Sequence, residues 1–150
     1  MDLEEQYMRI YRYCYFKVRQ RELAEDLTQE TFLRFLQSTH YVHTGKAMQY
    51  LYTIARNLCV DASRRPQMQT LDEEAADWEA EDTLLTRLSV KMALARLPEA
   101  ERELLLLRYV NEVPVSVLGE LYGISRFAVY RRCSQAAKHL KANLDKEEFS

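Results

Sequence analysis

This chain is poor in the residues that break helices. Its 150 residues include only three glycines and three prolines. Long segments without either residue favour helices over the frequent turns of a β-rich protein. No apolar run approaches the ~20 residues that a membrane span requires, and the acidic start of the chain lacks the pattern of a signal peptide. We therefore expect an all-α protein without membrane insertion.

Residues that carry chemistry are also sparse. Cys14, Cys59 and Cys133 are scattered through helical segments, which predicts reduced thiols in a cytoplasmic protein and not a disulfide scaffold. His40 and His43 have the spacing of half a metal site, but neither a cysteine nor an acid follows at ligand spacing. The chain contains no glycine-rich phosphate loop and no nucleophile elbow. We expect no enzyme activity, no metal and no cofactor.

Charge divides the chain into three parts. Residues 1–66 carry a net charge of +2, residues 67–90 carry −6, and residues 91–150 carry +2, within a total of −2. Two slightly basic blocks joined by an acidic spacer predict two small helical domains. We assign residues 1–66 and 91–150 to these domains and residues 67–90 to the linker.

The second block has the pattern of a helix-turn-helix between Leu97 and Leu144. A proline-led helix is followed by a short helix that ends at Tyr122, where Gly123 can adopt the left-handed conformation that closes a helix. Ser125 can then cap the last helix. The expected shared core of the two crossing helices consists of Val117, Leu118, Leu121, Ile124 and Val129.

The last helix has two different faces. Its apolar residues recur at three- and four-residue spacing and predict a buried face of Val129, Cys133, Ala136 or Ala137, Leu140 and Leu144. The opposite face, which we call the outer stripe, comprises Phe127, Tyr130, Arg131, Ser134, Lys138 and Lys141. Residues 121–144 contain five Lys or Arg and no acid. This pattern is typical of nucleic-acid binding, although an ordinary solvated face would also carry such charges.

The first block begins with two amphipathic helices. A tyrosine-rich helix over residues 4–20 places Tyr7, Tyr11, Cys14, Tyr15 and Val18 on one side. The second helix is expected to bury Ala24, Thr28, Phe32, Phe35 and Leu36. A different side of that helix, the acidic stripe, comprises Asp26, Gln29, Glu30 and Leu33. Acids beside an exposed leucine suit docking on a basic helix, and a solvated face is the alternative.

The third helix, KAMQYLYTIARNLCVDASRR, also has two faces. Its buried face is predicted from Ala47, Leu51, Ile54, Ala55, Leu58 and Ala62. The other face, the polar stripe, comprises Tyr50, Thr53, Asn57, Asp61 and Arg64, with Arg56 and Arg65 beside it. The preceding loop adds Tyr41 to Lys46. Aromatic and cationic groups on one surface suit single-stranded nucleic acid, but aromatic residues at helical spacing are commonly part of a core.

Two segments of the first block, AEDLTQETFLRFL and YLYTIARNLCVDASRR, resemble region 2 of bacterial sigma factors. The second block, from ALARLPEAERELLLLRY through GISRFAVYRRCSQAAKHL, resembles region 4 of the same family, above all its extracytoplasmic-function (ECF) group. The resemblance covers about four-fifths of the chain. It implies a protein that binds core RNA polymerase and enables it to recognise promoters and open the DNA strands.

The resemblance also implies roles for individual residues. Binding of core polymerase is assigned to the acidic stripe, Asp26, Gln29, Glu30 and Leu33. Contact with the opened −10 element is assigned to Tyr41, Lys46, Tyr50, Thr53, Asn57, Asp61, Arg64 and Arg65. Readout of the duplex −35 element is assigned to Arg126, Phe127, Tyr130, Arg131, Ser134 and Lys138. The acidic segment from Asp72 to Asp82 would suit passage through a polymerase channel, because it mimics a nucleic-acid strand.

This sequence departs from the family pattern at three of these positions. Tyr50 stands where a tryptophan is usual and keeps an aromatic ring. Phe127 replaces a small residue and Tyr130 replaces a lysine, which changes the expected target sequence and not the mode of binding.

Two other functions fit parts of the pattern. A stand-alone helix-turn-helix regulator would bind duplex DNA without polymerase. A helical adaptor would bind polymerase or an anti-sigma protein without reading promoters, and an anti-sigma protein is also a possible partner of a sigma factor.

Overall fold

The computed structural model describes residues 2–38, 46–64 and 84–149, with side chains of the last range described for 88–146. These residues form seven α-helices and no strand. The chain divides into two compact units between Ala75 and Ala76, inside the segment assigned to the linker. The expectation of an all-α protein is confirmed for the described residues.

The first unit is a bundle of three helices, each of which packs against the other two. They are α1 (Leu3–Val18), α2 (Arg21–Gln37) and α3 (Ala47–Ser63). The Asp2 carboxylate caps α1 by accepting the backbone N–H of Glu4 at 3.1 Å. Arg19, with φ of 58°, ends α1 in the left-handed region. The helix is therefore shorter at its C-terminal end than the predicted range of 4–20.

Aromatic side chains join the three helices of this unit. The rings of Tyr13 on α1 and Tyr52 on α3 meet edge to face with centroids 5.8 Å apart, and both are almost fully buried. Tyr7 packs against Phe32 of α2 at 5.5 Å. Such pairs contribute about 0.5–1.5 kcal/mol beyond the burial of their area. The tyrosines of α1 are thus mainly core residues.

One core assignment in α2 is wrong. Leu36 is 64% exposed, although its spacing predicted burial. The buried face instead includes Thr31, whose hydroxyl donates to the Leu27 carbonyl at 2.7 Å. The hydroxyl of Thr28 bonds the Ala24 carbonyl in the same way at 2.6 Å, so both buried threonines have satisfied hydroxyls. The buried face of α2 therefore includes Thr28 and Thr31 and excludes Leu36.

The three cysteines are buried and carry free thiols. Cys14 and Cys59 lie on helices α1 and α3, and the Cys59 side chain hydrogen-bonds to Cys14. This hydrogen bond lowers the pKa of the Cys14 thiol, with Thr28 adding to the effect against the opposing influence of burial. Burial raises the pKa of Cys133 in the second unit, opposed by the nearby charge of Arg108.

The second unit packs three shorter helical segments against one long helix. The segments are α4 (Leu84–Ala95), α5 (Glu99–Leu105, continued by a π-helical turn Leu106–Val110) and α6 (Val115–Tyr122). The long helix is α7 (Arg126–Phe149). Helix α4 starts inside the range assigned to the linker, since the acids stop at Asp82 and leucines resume at Leu84.

The turn between α6 and α7 has the expected conformation. Gly123 lies in the left-handed region with φ of 69°, where its backbone N–H bonds the Gly119 carbonyl. The Ser125 hydroxyl accepts the Ala128 N–H at 3.1 Å and caps α7. Leu118 and Val129 are fully buried where the two helices cross. The other three residues of the predicted core, Val117, Leu121 and Ile124, are partly buried.

Gly119 allows α6 and the turn to approach each other closely. A Cβ atom at this position would lie 2.9 Å from the backbone carbonyl oxygen of Ile124, which is too near for an ordinary contact. We expect Gly119→Ala to lower the free energy of unfolding by about 1–3 kcal/mol, the usual cost of overpacking. Thermal and urea unfolding measured by circular dichroism check this. Ser116→Ala, on the exposed side of α6, is the control and should change stability by less than about 0.5 kcal/mol. Equal stability of the two variants would contradict this account of the turn.

Candidate functional site

The outer stripe of α7 is exposed along its whole length. Phe127 and Tyr130 are 73% and 59% exposed, and Phe127 is the most exposed of the large hydrophobic residues in the described part of the chain. The remaining residues of the stripe are exposed as well: Arg131, Ser134, Lys138 and Lys141. Arg126, the first residue of α7, is also exposed. All six residues assigned to duplex readout are therefore accessible.

Side chains of the stripe form a shallow groove. It is lined by Phe127, Tyr130, Arg131, Ser134, Gln135 and Lys138. The guanidinium carbon of Arg131 lies 5.6 Å from the centre of the Phe127 ring, within the range of a cation–π interaction. Gln135 was not among the predicted residues, although its position four residues after Arg131 places it beside the stripe.

The opposite face of α7 fixes how the helix is turned. Val129, Cys133 and Ala136 are buried, and Ala136 packs with Leu97 and Leu105. Ala137 is exposed, so Ala136 is the core residue of that pair. Because these residues anchor one face, the outer stripe must point away from the unit.

Two polar contacts hold the C-terminal half of α7 in the same orientation. The His139 ring nitrogen Nδ1 lies 2.8 Å from a carboxylate oxygen of Glu101 on α5. The Asn143 amide donates to the Ala93 carbonyl of α4 at 3.1 Å. The sequence pattern did not reveal either contact, since the partners lie 38 and 50 residues apart.

The positive charge of α7 is exposed. All five basic residues between positions 121 and 144 have exposed side chains: Arg126, Arg131, Arg132, Lys138 and Lys141. No acid interrupts this segment. The surface can therefore attract phosphates, while the aromatic groups near the start of α7 can approach base edges.

The polar stripe of α3 is exposed except at its first residue. Thr53, Asn57, Asp61 and Arg64 are exposed, as is Lys46 just before the helix. Tyr50 is partly buried, with its ring centroid 6.2 Å from that of Phe35 on α2. This packing fixes the ring at the edge of the core. The other two assigned residues, Tyr41 and Arg65, lie outside the described residues, as do His40 and His43.

The buried face of α3 is wider than predicted. Tyr52 and Cys59 are buried in addition to the predicted Leu51, Ala55, Leu58 and Ala62. Ala47 and Ile54 are only partly buried. Helix α3 packs against both α1 and α2, so two sides of it are covered.

The acidic stripe lies on the outside of α2. Asp26 and Gln29 are exposed and Leu33 is 54% exposed. Glu30 accepts a 2.9 Å hydrogen bond from Arg34 one turn later, with both side chains about half exposed. Exposed pairs of this kind contribute little to stability. Leu36 extends the exposed apolar surface at the same end of α2.

The described residues contain no cluster of three or more His, Cys, Asp or Glu that could bind a metal ion. Within that same part of the chain, no helix combines the length and apolar character needed to cross a membrane.

Both halves of the chain match known families. Residues 3–68 match Sigma-70 region 2, and residues 93–142 match Sigma-70, region 4. The chain belongs to the ECF group of RNA polymerase sigma factors. The family expected from the sequence is thereby confirmed. A stand-alone regulator or an adaptor is not favoured, because both regions are present in one chain.

Individual sigma factors are similar in sequence to this chain over most of its length. It is 32% identical over 147 residues to the ECF RNA polymerase sigma factor BldN of Streptomyces coelicolor, covering 87% of this chain and 56% of BldN. It is 27% identical over 155 aligned positions to the ECF sigma factor SigW of Bacillus subtilis, covering 91% and 83%. The chain thus spans little more than half the length of BldN.

The fold also resembles a solved sigma factor structure. Sigma factor RpoE of Bartonella quintana, crystallised with the anti-sigma factor NepR, superposes with a TM-score of 0.71 at 19% identity. The superposition covers 95% of this chain and 94% of RpoE. At this level of identity the likeness concerns the fold alone.

Proposed function

We propose that this ECF sigma factor binds core RNA polymerase, reads the −35 and −10 promoter elements and promotes strand opening. The observation that carries the proposal is the outer stripe of α7. It combines exposed aromatic, hydrogen-bonding and cationic groups at the start of the second helix of a helix-turn-helix, the part of this motif that meets base edges in the major groove.

Duplex readout is assigned to residues 126–138. The stripe points away from the core, and Phe127, Tyr130 and Arg131 lie within its first turns. Ser134 and Lys138 follow on the same face. Arginine can bond guanine through two hydrogen bonds, and lysine further along can neutralise a phosphate.

Contact with the opened strand is assigned to α3. Thr53, Asn57 and Arg64 present hydrogen-bonding and cationic groups on its exposed face. Tyr50 lies at the N-terminal end of this face and is only partly buried, so we assign to it the stacking of one base. The predicted contacts of Tyr41 and Arg65 remain part of the proposal.

Docking on core polymerase is assigned to the acidic stripe of α2. Asp26 and Glu30 supply negative charge and Leu33 supplies an apolar contact, a combination suited to a basic partner helix. Arg34 competes for Glu30 in the isolated protein, so docking would exchange one ion pair for another.

The chain would contribute no catalytic group, since nucleotide addition belongs to the polymerase. It would act where promoter DNA is found, in the cytoplasm. An anti-sigma protein stays a predicted partner, and the route of the acidic segment 72–82 through polymerase stays a prediction outside the described residues.

Run-off transcription with purified core polymerase and a library of genomic promoter fragments tests the function. We expect start sites that appear only when the chain is added and that share −35 and −10 elements. Sequence-specific duplex binding by the chain alone, without transcription, would favour a stand-alone regulator. Binding to polymerase without any promoter-dependent transcript would favour an adaptor.

The ring of Tyr50 should be needed for strand opening. Tyr50→Leu keeps an apolar side chain against Phe35 but removes the stacking surface. We expect it to form closed complexes normally and to lose open complexes, because one stacked base contributes about 1–3 kcal/mol. Permanganate reactivity of the −10 thymines on relaxed templates measures the effect.

Two controls separate opening from folding in this experiment. Tyr50→Phe keeps the ring and should open promoters like the native protein. The melting temperature of each variant is measured in parallel, because packing between Tyr50 and Phe35 also stabilises the unit. Normal reactivity in a folded Tyr50→Leu protein would remove Tyr50 from the opening mechanism. Joint loss of stability and of all binding would assign Tyr50 to packing alone.

A further inference from the structure

The side chain of Phe127 is exposed at the point where α7 would enter the major groove. It is the second residue of α7, follows the Ser125 cap, and is 73% exposed. Leaving a phenylalanine ring in water forgoes the stabilisation that burial gives. Its neighbours Arg126 and Arg131 are also exposed. The ring is therefore available for an intermolecular contact in a cationic setting.

The chemistry of the ring limits which base it can read. Phenylalanine has no hydrogen-bonding group, so it can distinguish bases only through apolar contact. In the major groove, thymine alone among the four bases presents a methyl group, at C5. Tyr130 lies on the same stripe but carries a hydroxyl, which can also bond base acceptors. Phe127 is thus the residue of the stripe best matched to thymine.

The position of Arg131 indicates the neighbouring base. Its guanidinium carbon lies 5.6 Å from the centre of the Phe127 ring. Successive base pairs rise by about 3.4 Å, so this separation is shorter than two steps of the duplex. Arginine pairs best with the O6 and N7 acceptors of guanine. The two side chains would therefore meet adjacent bases.

We propose that Phe127 determines specificity by packing against the C5-methyl group of a thymine, next to a guanine that Arg131 reads. This inference rests on the proposed function, because it assigns a base preference to the same surface of α7. It predicts that the upstream element of this sigma factor contains adjacent thymine and guanine, on either strand.

Replacement of thymine by deoxyuridine tests the contact, since it removes only the methyl group. Upstream duplexes are first selected from a randomised library with the complex of the full chain and core polymerase. Each thymine of the selected element is then replaced in turn. We expect one replacement to weaken binding about fourfold, as for loss of one buried methyl group. With Phe127→Ala, the thymine and deoxyuridine probes should bind equally.

Tyr109 provides a matched control. It is 59% exposed on the π-helical turn of α5, with the Arg108 guanidinium carbon 5.9 Å from its ring centre. The same type of ring–arginine pair is therefore present outside the outer stripe. Tyr109→Ala should keep the fourfold preference for thymine.

The outcomes separate this inference from the function on which it rests. Two results would overturn the role of Phe127 and leave promoter recognition intact. In one, every deoxyuridine probe of the selected element binds normally. In the other, the preference for the methyl group persists in Phe127→Ala. Failure to select any upstream sequence would overturn the proposed function together with the inference.

Discussion

Reversing the charge of the acidic stripe with Asp26→Lys and Glu30→Lys is expected to weaken binding to core RNA polymerase. Each substitution replaces an attractive contact by a repulsive one, which should cost on the order of 1–3 kcal/mol for interface charges. The fold should persist, because Asp26 is exposed and Glu30 is only partly buried. Pull-down of core polymerase and the melting temperature of the variant measure the two effects.

A matched variant on α1 controls for charge. Glu4→Lys with Glu5→Lys makes the same change in net charge, in the same unit, on exposed residues. It also breaks an i,i+4 ion pair, Glu5–Arg9 at 2.6 Å, as Glu30→Lys breaks the pair with Arg34. This control should still bind polymerase. Equal binding by both double variants would exclude the acidic stripe from docking.

A triple variant of the outer stripe should lose the −35 footprint. Replacing Phe127, Tyr130 and Arg131 by alanine removes the exposed groups at the start of α7. Each base contact that is lost should cost about 1–3 kcal/mol. Stability should not fall, because all three side chains are exposed and alanine favours helix. Footprinting of the promoter complex over the −35 region measures the loss.

Arg132→Ala is the control for this variant. Arg132 is an exposed cation of the same helix that lies off the outer stripe. Its removal should weaken binding slightly and equally for all sequences, as expected for a phosphate contact. An intact −35 footprint in the triple variant would show that α7 does not read the promoter.

The helix-turn-helix could be predicted from the sequence because its signals are local. Gly123 ends α6 and Ser125 caps α7 through contacts with residues no more than four positions away. The lack of acids between residues 121 and 144 can be read directly from the sequence. The exposure of the outer stripe follows from the spacing of Val129, Cys133 and Ala136. The role of Gly119 is different, since its close approach to Ile124 is visible only in three dimensions.

Contacts between helices could not be predicted in the same way. Thr28 was predicted on the buried face of α2, but Thr31 was not; its burial is tolerated because its hydroxyl bonds the Leu27 carbonyl of the same helix. Leu36 is exposed in spite of its hydropathy. Tyr52 is buried because α3 packs on two helices, and a single apolar stripe predicts only one covered side. These differences concern packing, whereas the exposed stripes follow from spacing along one helix.

The run of leucines in α5 shows a further limit of sequence periodicity. Leu104, Leu105, Leu106 and Leu107 are all buried, although four consecutive residues cannot face one side of a regular α-helix. The helix changes to a π-helical turn at Leu106, and the Asn111 N–H bonds the Leu106 carbonyl at 2.9 Å. Hydrophobic spacing, which assumes a regular α-helix, does not reveal such a turn.

We propose that one chain supplies both duplex recognition and strand opening to core polymerase. This proposal is tested most directly by footprinting and permanganate probing of one promoter with core polymerase, with the chain alone, and with both. We expect an upstream footprint over the −35 element and reactive −10 thymines only when both are present. Upstream protection by both components without reactive thymines, or reactive thymines with core polymerase alone, would contradict it.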